Sequence, residues 1–227
     1  MSKSSNTRAI FLVLSVSIAV LAAGELVKSK LDEDSETGSR IRKMESEIVQ
    51  PRPFERAEMA VGGALEGPYP FFDQNGKPFE LTSWLDKPLV ISYIFTECPM
   101  VCPTISASLA DFVKTGFKDI GVDFRIVTVG FDPASDKPAA MLTFGEKFTS
   151  DFSNWRFVTG SPEVVRRLSN DIGVVYEPDD QGSWKHTMGI TIVAPGGVVS
   201  SQLFGMAFNT EELVADIEKA AARGEKG

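Results

Sequence analysis

The sequence predicts an α/β domain with a mixed central sheet flanked by helices, a β-hairpin ahead of it and one apolar segment at the N-terminus. Three observations carry this. Short β-branched and aromatic runs alternate with stretches of helical spacing, as strands and helices do in a layered α/β domain. Asp73-Gln74-Asn75-Gly76 separates two aromatic runs with the chemistry of a hairpin turn. The sixteen residues Ala9 to Gly24 carry no charge and follow a short basic start. With 227 residues, 43% of them hydrophobic, the chain is long enough for a buried core without disulfide staples, so its two cysteines are not scaffolding. Acids outnumber bases 31 to 23, net charge is -8, and no basic patch stands out. That excludes a nucleic-acid partner.

Residues 1 to 27 read as a membrane anchor or a secretory signal, with the uncleaved anchor favoured. Sixteen residues are short of a full span, but Leu26 and Val27 extend it past Glu25, and Ala22-x-Gly24 is a mediocre cleavage site. Lys3 and Arg8 then stay on the cytoplasmic side and the rest is exported. Residues 28 to 61, with the run Asp32-Glu33-Asp34-Ser35-Glu36, lack core periodicity and read as a flexible acidic tether. The folded domain is expected over 62 to 227, opening with the hairpin.

Leu89 to Thr96 is apolar and β-branched enough for a buried strand, and Thr104 to Lys118 has helical spacing through Ile105, Leu109, Phe112 and Val113. Asp123 to Gly130 predicts a second strand, Lys137 to Phe148 a second helix, and Trp155 to Thr159 a third strand. Ser161-Pro162 starts a further helix with a cap residue and a proline in the first turn. Met188 to Ala194 and Gly197 to Phe204 flank Pro195-Gly196 as a terminal hairpin, and Asn209 caps a helix from Thr210 to Arg223.

The chemistry concentrates in Cys98-Pro99-Met100-Val101-Cys102-Pro103, where the first strand gives way to its helix, and strand ends of α/β sheets are where sites lie. Pro103 has no amide proton and belongs in the first helical turn, which puts Cys102 at the helix start and Cys98 just before it. The positive helix end favours thiolates, and the spacing lets the pair bind a soft metal or close into a disulfide. His186 is the one histidine, placed just before the terminal hairpin. Alone it reads more readily as a surface or satisfied residue than as a ligand. If its loop returns to the mouth of the first strand-helix unit, two thiolates and an imidazole make a three-donor site. Such a set is one ligand short of structural zinc and suits Cu(I).

Cys98-Pro99-x-x-Cys102-Pro103 after an aromatic-rich strand, Asp132-Pro133 at the end of the second strand, and His186-Thr187 before the hairpin resemble the SCO/SenC family of copper chaperones for cytochrome c oxidase assembly. The resemblance spans roughly residues 62 to 223. It implies a thioredoxin-like fold with an N-terminal extension, tethered to the bacterial inner membrane and facing the periplasm. It also implies one copper per chain, as Cu(I) or Cu(II), held by Cys98, Cys102 and His186, with Cys98 and Cys102 also forming a redox disulfide. The implied recipient is cytochrome c oxidase subunit II or another copper protein. An upstream periplasmic copper donor or a thioredoxin-like reductant is a further partner. Two departures stand out: Met100 replaces the acid often found between the cysteines, and Ala134-Ser135-Asp136 follows Asp132-Pro133 in place of an arginine. Asp132 reads either as a group that steers the histidine or as turn chemistry. Trp184 either shields the site or docks its loop. Met100 and Met188 are read as fillers of apolar space rather than as thioether ligands.

The main rival is a thiol-disulfide reductase that keeps an acceptor's cysteines reduced. Such enzymes prefer two residues between their cysteines, so the three found here favour metal. A peroxidase fits less well, because Thr96 stands two residues before Cys98 rather than three.

Overall fold

The computed structural model describes residues 55–56, 60–115, 121–180 and 184–224. The N-terminal segment 1 to 27 and most of the stretch read as a tether lie outside the described residues. Among the described residues, no helix is long and apolar enough to cross a membrane.

Among the described residues, ten strands and four α-helices contain the predicted alternation, with β1, β7 and β8 added to it. β1 (Glu55–Arg56) lies within the stretch read as a tether and pairs with Phe204 and Leu203. β2 (Pro70–Asp73) and β3 (Pro78–Glu80) form the expected hairpin. Asp73 Oδ1 accepts the amides of Asn75 and Lys77, both at 2.9 Å, and Gly76 takes the left-handed conformation the turn requires (φ 73°). A 3₁₀ turn over Leu81–Trp84 leads to β4 (Leu89–Ile94), in which every residue is buried. A strand buried along its whole length needs cover on both faces, as the continuous LVISYI run foretold.

α1 (Val101–Thr115) carries the chain to β5 (Arg125–Gly130), which pairs with β4 in parallel from Leu89↔Arg125 to Ile94↔Gly130. α2 (Pro138–Gly145) leads to β6 (Trp155–Thr159), parallel to β5. α3 (Pro162–Asp171) is capped by Ser161, whose hydroxyl accepts the Val164 amide. β7 (Tyr176–Pro178) and β8 (Trp184–His186) form a separate two-stranded sheet. β9 (Gly189–Val193) and β10 (Val199–Phe204) return antiparallel beside β4, and α4 (Thr210–Gly224) closes the chain. The main sheet runs β1-β10-β9-β4-β5-β6-β2-β3, mixed but mostly antiparallel, with the parallel trio β4, β5 and β6 inside it. The hydroxyls of Ser92 and Thr128 meet at 2.9 Å and Trp155 Nε1 donates to Thr128 Oγ1, which ties that trio together through buried polar groups.

Three expectations are corrected. The first helix begins at Val101, ahead of the apolar periodicity that placed it at Thr104. The second helix stops at Gly145 instead of Phe148; a Cβ there would come within 2.7 Å of the Phe157 ring, so the helix can lie this close to β6 only through a glycine. His186 sits in strand β8 rather than in a loop. That three-residue strand owes its place to rings: Phe131 stacks on Tyr176 at 4.9 Å and meets Trp184 edge-on at 5.5 Å, and the Arg166 guanidinium covers Tyr176 at 3.7 Å.

Candidate functional site

Cys98 lies in the turn between β4 and α1, where its amide donates to the Phe95 carbonyl at 3.0 Å. Pro103 has no amide to donate, and Thr104 is the first residue to close a helical bond, its N–H and hydroxyl both reaching the Met100 carbonyl. The amides of the first turn therefore remain for another acceptor, which is the Cys98 sulfur: Cys102 N donates to Cys98 Sγ at 3.3 Å. Both cysteines are buried and neither is in a disulfide.

The two thiols are electronically unequal. The hydrogen bond from the Cys102 thiol, with help from the amides of Cys102, Met100 and Val101, pulls Cys98 down to about 5 against the opposing effect of burial. Cys102 donates that same hydrogen bond and is fully buried, and both effects push it well above the ordinary thiol range. At neutral pH Cys98 is the thiolate and Cys102 the thiol that holds it.

Beneath this turn lies a carboxylate the sequence reading passed over. Asp136, 1% exposed, accepts the Thr96 amide at 2.7 Å and the Asp132 amide at 2.8 Å, so it pins the cysteine turn to the end of β5. Burial raises its pKa, and the two amides work against that rise. Gly130, the last residue of β5, leaves the room it needs, since a Cβ there would stand 2.7 Å from Asp136 Cβ and 2.8 Å from Met141 Sδ. Asp132, the acid singled out from the sequence, accepts from Ala134 N at 3.0 Å and Ser135 Oγ at 2.8 Å, bonds that belong to its own turn. The signal that could have revealed Asp136 was its position, one residue before the Lys137-Pro138 start of α2, where an acid so close to a helix entry has amides within reach.

His186 comes from the other side. Its Nδ1 lies 3.0 Å from the Thr187 carbonyl. A carbonyl only accepts, so Nδ1 is the donor, and in the neutral ring Nε2 is then the nitrogen open to a ligand. The ring sits 5.1 Å from Phe131 and edge-on to Phe95 at 6.0 Å. Phe131, also missed from the sequence, is the hub on which His186, Trp184, Tyr176 and Phe95 converge.

The two sides share one open cleft of about 400 Å³, lined by Phe95, Cys98, Met100, Trp184, His186 and Met188. Cys98, Trp184 and His186 line this one cleft, and Cys102, whose amide donates to Cys98 Sγ, is not part of its lining. The methionines correct the expectation of apolar filling: Met100 is 66% exposed and Met188 40%. Among the described residues, no three His, Cys, Asp or Glu side chains are gathered into a ready-made cation cluster. Chemically, the cleft offers a thiolate with a thiol partner for disulfide exchange, and sulfur with imidazole for a soft metal.

A mixed sheet with a cysteine pair at the N-terminus of the helix after its central strand defines a thioredoxin-like thiol protein. More narrowly, the SCO1/SenC family model matches residues 57–222, and the chain belongs to that family. It is 29% identical over 159 residues to the SCO1 protein homolog of Bacillus subtilis, covering 68% of this chain and 81% of that one. Among solved structures, it is similar to a SCO1/SenC family lipoprotein from Bacillus anthracis (28% identity, TM-score 0.64, 71% of this chain and 96% of that one). It is also similar to copper-bound ScoI of Bradyrhizobium japonicum (27% identity, TM-score 0.57, 71% and 99%).

Proposed function

We propose that this chain is a copper chaperone that takes up one copper ion through Cys98, Cys102 and His186 and delivers it to the dinuclear copper site of cytochrome c oxidase. The observation that carries this is the shared cleft. A thiolate-thiol pair held by a helix N-terminus faces an imidazole with a free Nε2, in a chain of the SCO1/SenC family with a copper-bound structural relative. Copper is the cargo. On loading, the Cys102 thiol gives up its proton, and the ligands come from both sides of the cleft. Handover is ligand exchange with a docked acceptor, oxidase subunit II or another copper protein, and oxidation of Cys98 with Cys102 switches the site off. An upstream periplasmic donor supplies the ion. Residues 1 to 27 hold the domain at the inner membrane, facing the periplasm.

The test is copper titration of the reduced full-length chain against its His186→Ala variant. Altering a partner behind a metal ligand costs about 10–100-fold in affinity, so deleting a ligand outright is expected to cost about 100-fold or more, with disulfide formation intact. Equal affinity in the two proteins would refute the three-ligand site.

One observation supports a second reading, a reductase that keeps the recipient's copper-ligand cysteines reduced. The lowered Cys98 and raised Cys102 form an attacking thiolate and a resolving thiol. Reduction of a disulfide peptide by the metal-free chain, at a rate that His186→Ala leaves unchanged, would favour it.

A further inference from the structure

Among the described residues, six large hydrophobic side chains stand exposed, and two of them, Met100 and Met188, rim the cleft shared by Cys98 and His186. A methionine that fills core looks different here: Met141 is 0% exposed, with its sulfur close under Gly130. The backbones of the two rim residues are fixed while their side chains face water. The Met100 carbonyl accepts from Thr104 N and Oγ1, at 3.2 and 2.8 Å, and the Met188 carbonyl accepts from Gly205 N at 2.9 Å. One thioether belongs to the cysteine side of the cleft and the other to the histidine side. Core packing does not account for side chains left this exposed. Their chemistry does: a thioether is a soft, neutral donor with no proton to lose, and it selects Cu(I) over hard cations.

We propose that Met100 and Met188 form an entry pair, whose thioethers receive Cu(I) at the rim and pass it to Cys98, Cys102 and His186. This rests on the copper reading above and adds the route of loading. The ion arrives from a Cu(I) donor, and each copper-thioether bond forms as one of the donor's own bonds to copper breaks. Each copper-thioether bond breaks as a bond to the Cys98 thiolate, the Cys102 sulfur or His186 Nε2 forms. Cys102 releases its proton to water, and copper stays Cu(I) throughout, so no oxidant or reductant is needed.

Two measurements test the pair on the full-length chain in mild detergent. In the first, a Cys98→Ser/Cys102→Ser/His186→Ala protein carrying ¹³C-methyl methionine is titrated with Ag(I), a redox-inert stand-in for Cu(I). The Met100 and Met188 methyl signals are expected to move while that of buried Met141 stays put. In the second, Cu(I) is delivered as its acetonitrile complex and uptake is followed by sulfur-to-copper absorption. Met100→Leu/Met188→Leu keeps the apolar volume and removes the sulfur, and is expected to slow uptake about ten-fold, roughly 1.4 kcal/mol of barrier. Unmoved methyl signals, or wild-type uptake by the leucine variant, would overturn the entry pair. So would a loss seen only in Met100→Ser/Met188→Ser, because that would make the rim an apolar docking surface. A wild-type chain that holds no Cu(I) tightly overturns the copper reading and the handover with it. Tight binding with unmoved methionines overturns the entry pair alone.

Discussion

The two walls of the cleft are built on different physics. On the cysteine wall, the turn hangs from a fully buried strand, its sulfur takes an amide of the following helix, and Asp136 ties it to the neighbouring strand end. On the histidine wall, a two-stranded sheet outside the main sheet is held against Phe131 by ring packing, with Thr187 N bonded to the Val175 carbonyl at 2.8 Å. Hydrogen bonds to buried groups fix atoms in place, whereas ring contacts fix a surface and tolerate adjustment. The thiol chemistry is therefore complete on one wall alone, whereas the proposed copper site draws on both. This division lets the two readings of function be separated by mutation.

The largest effect is expected from Cys102→Ala. It removes the donated hydrogen bond that stabilises the Cys98 thiolate, so Cys98 should climb from about 5 back toward the ordinary thiol value of 9.0, and copper retention and disulfide formation should both disappear. Alkylation by iodoacetamide across pH checks this. Because the folded-state value is depressed, the wild-type thiolate is present above pH 5 and is lost as the pH falls through it; the variant's reactive form should appear only near the pH of a free thiol.

Phe131→Ala attacks the other wall. Truncating a buried phenylalanine costs about 3–5 kcal/mol, and here the lost contacts include His186, Trp184 and Tyr176. Denaturant unfolding should show that loss, with weakened copper binding, while the alkylation profile of Cys98 keeps its acidic midpoint. A profile that shifted as well would show that the walls are coupled.

Asp136→Ala leaves the Thr96 and Asp132 amides without their acceptor, and at about 1–3 kcal/mol per unsatisfied buried group the expected loss is about 2–4 kcal/mol with some rearrangement. Cys98 alkylation should become faster and less selective as the turn loosens. Lys87→Ala, which removes an exposed ion pair to Asp123 away from both walls, should change stability by no more than about 1 kcal/mol and leave copper binding untouched.

The cysteine wall was far more legible in the sequence than the histidine wall. LVISYI announces a buried strand by composition, and a proline after the second cysteine announces the helix start, because both signals are local. Strand β8 announces itself in neither way: it has three residues, and its stability comes from Phe131 and Arg166, more than 15 positions upstream of it. Asp136 was passed over because an acid in a turn reads as solvated, and only the fold shows which amides it meets. The methionines were misread for the converse reason, since their apolar character predicts burial and only the folded surface shows them in water.

The most direct test of the central claim is X-ray absorption at the copper edge on the reduced, full-length chain loaded with one equivalent of Cu(I). The account predicts a three-coordinate ion with two sulfurs and one imidazole nitrogen, and a shell that loses the nitrogen in His186→Ala. A wild-type spectrum with sulfur ligands alone, or one that His186→Ala does not change, would contradict it.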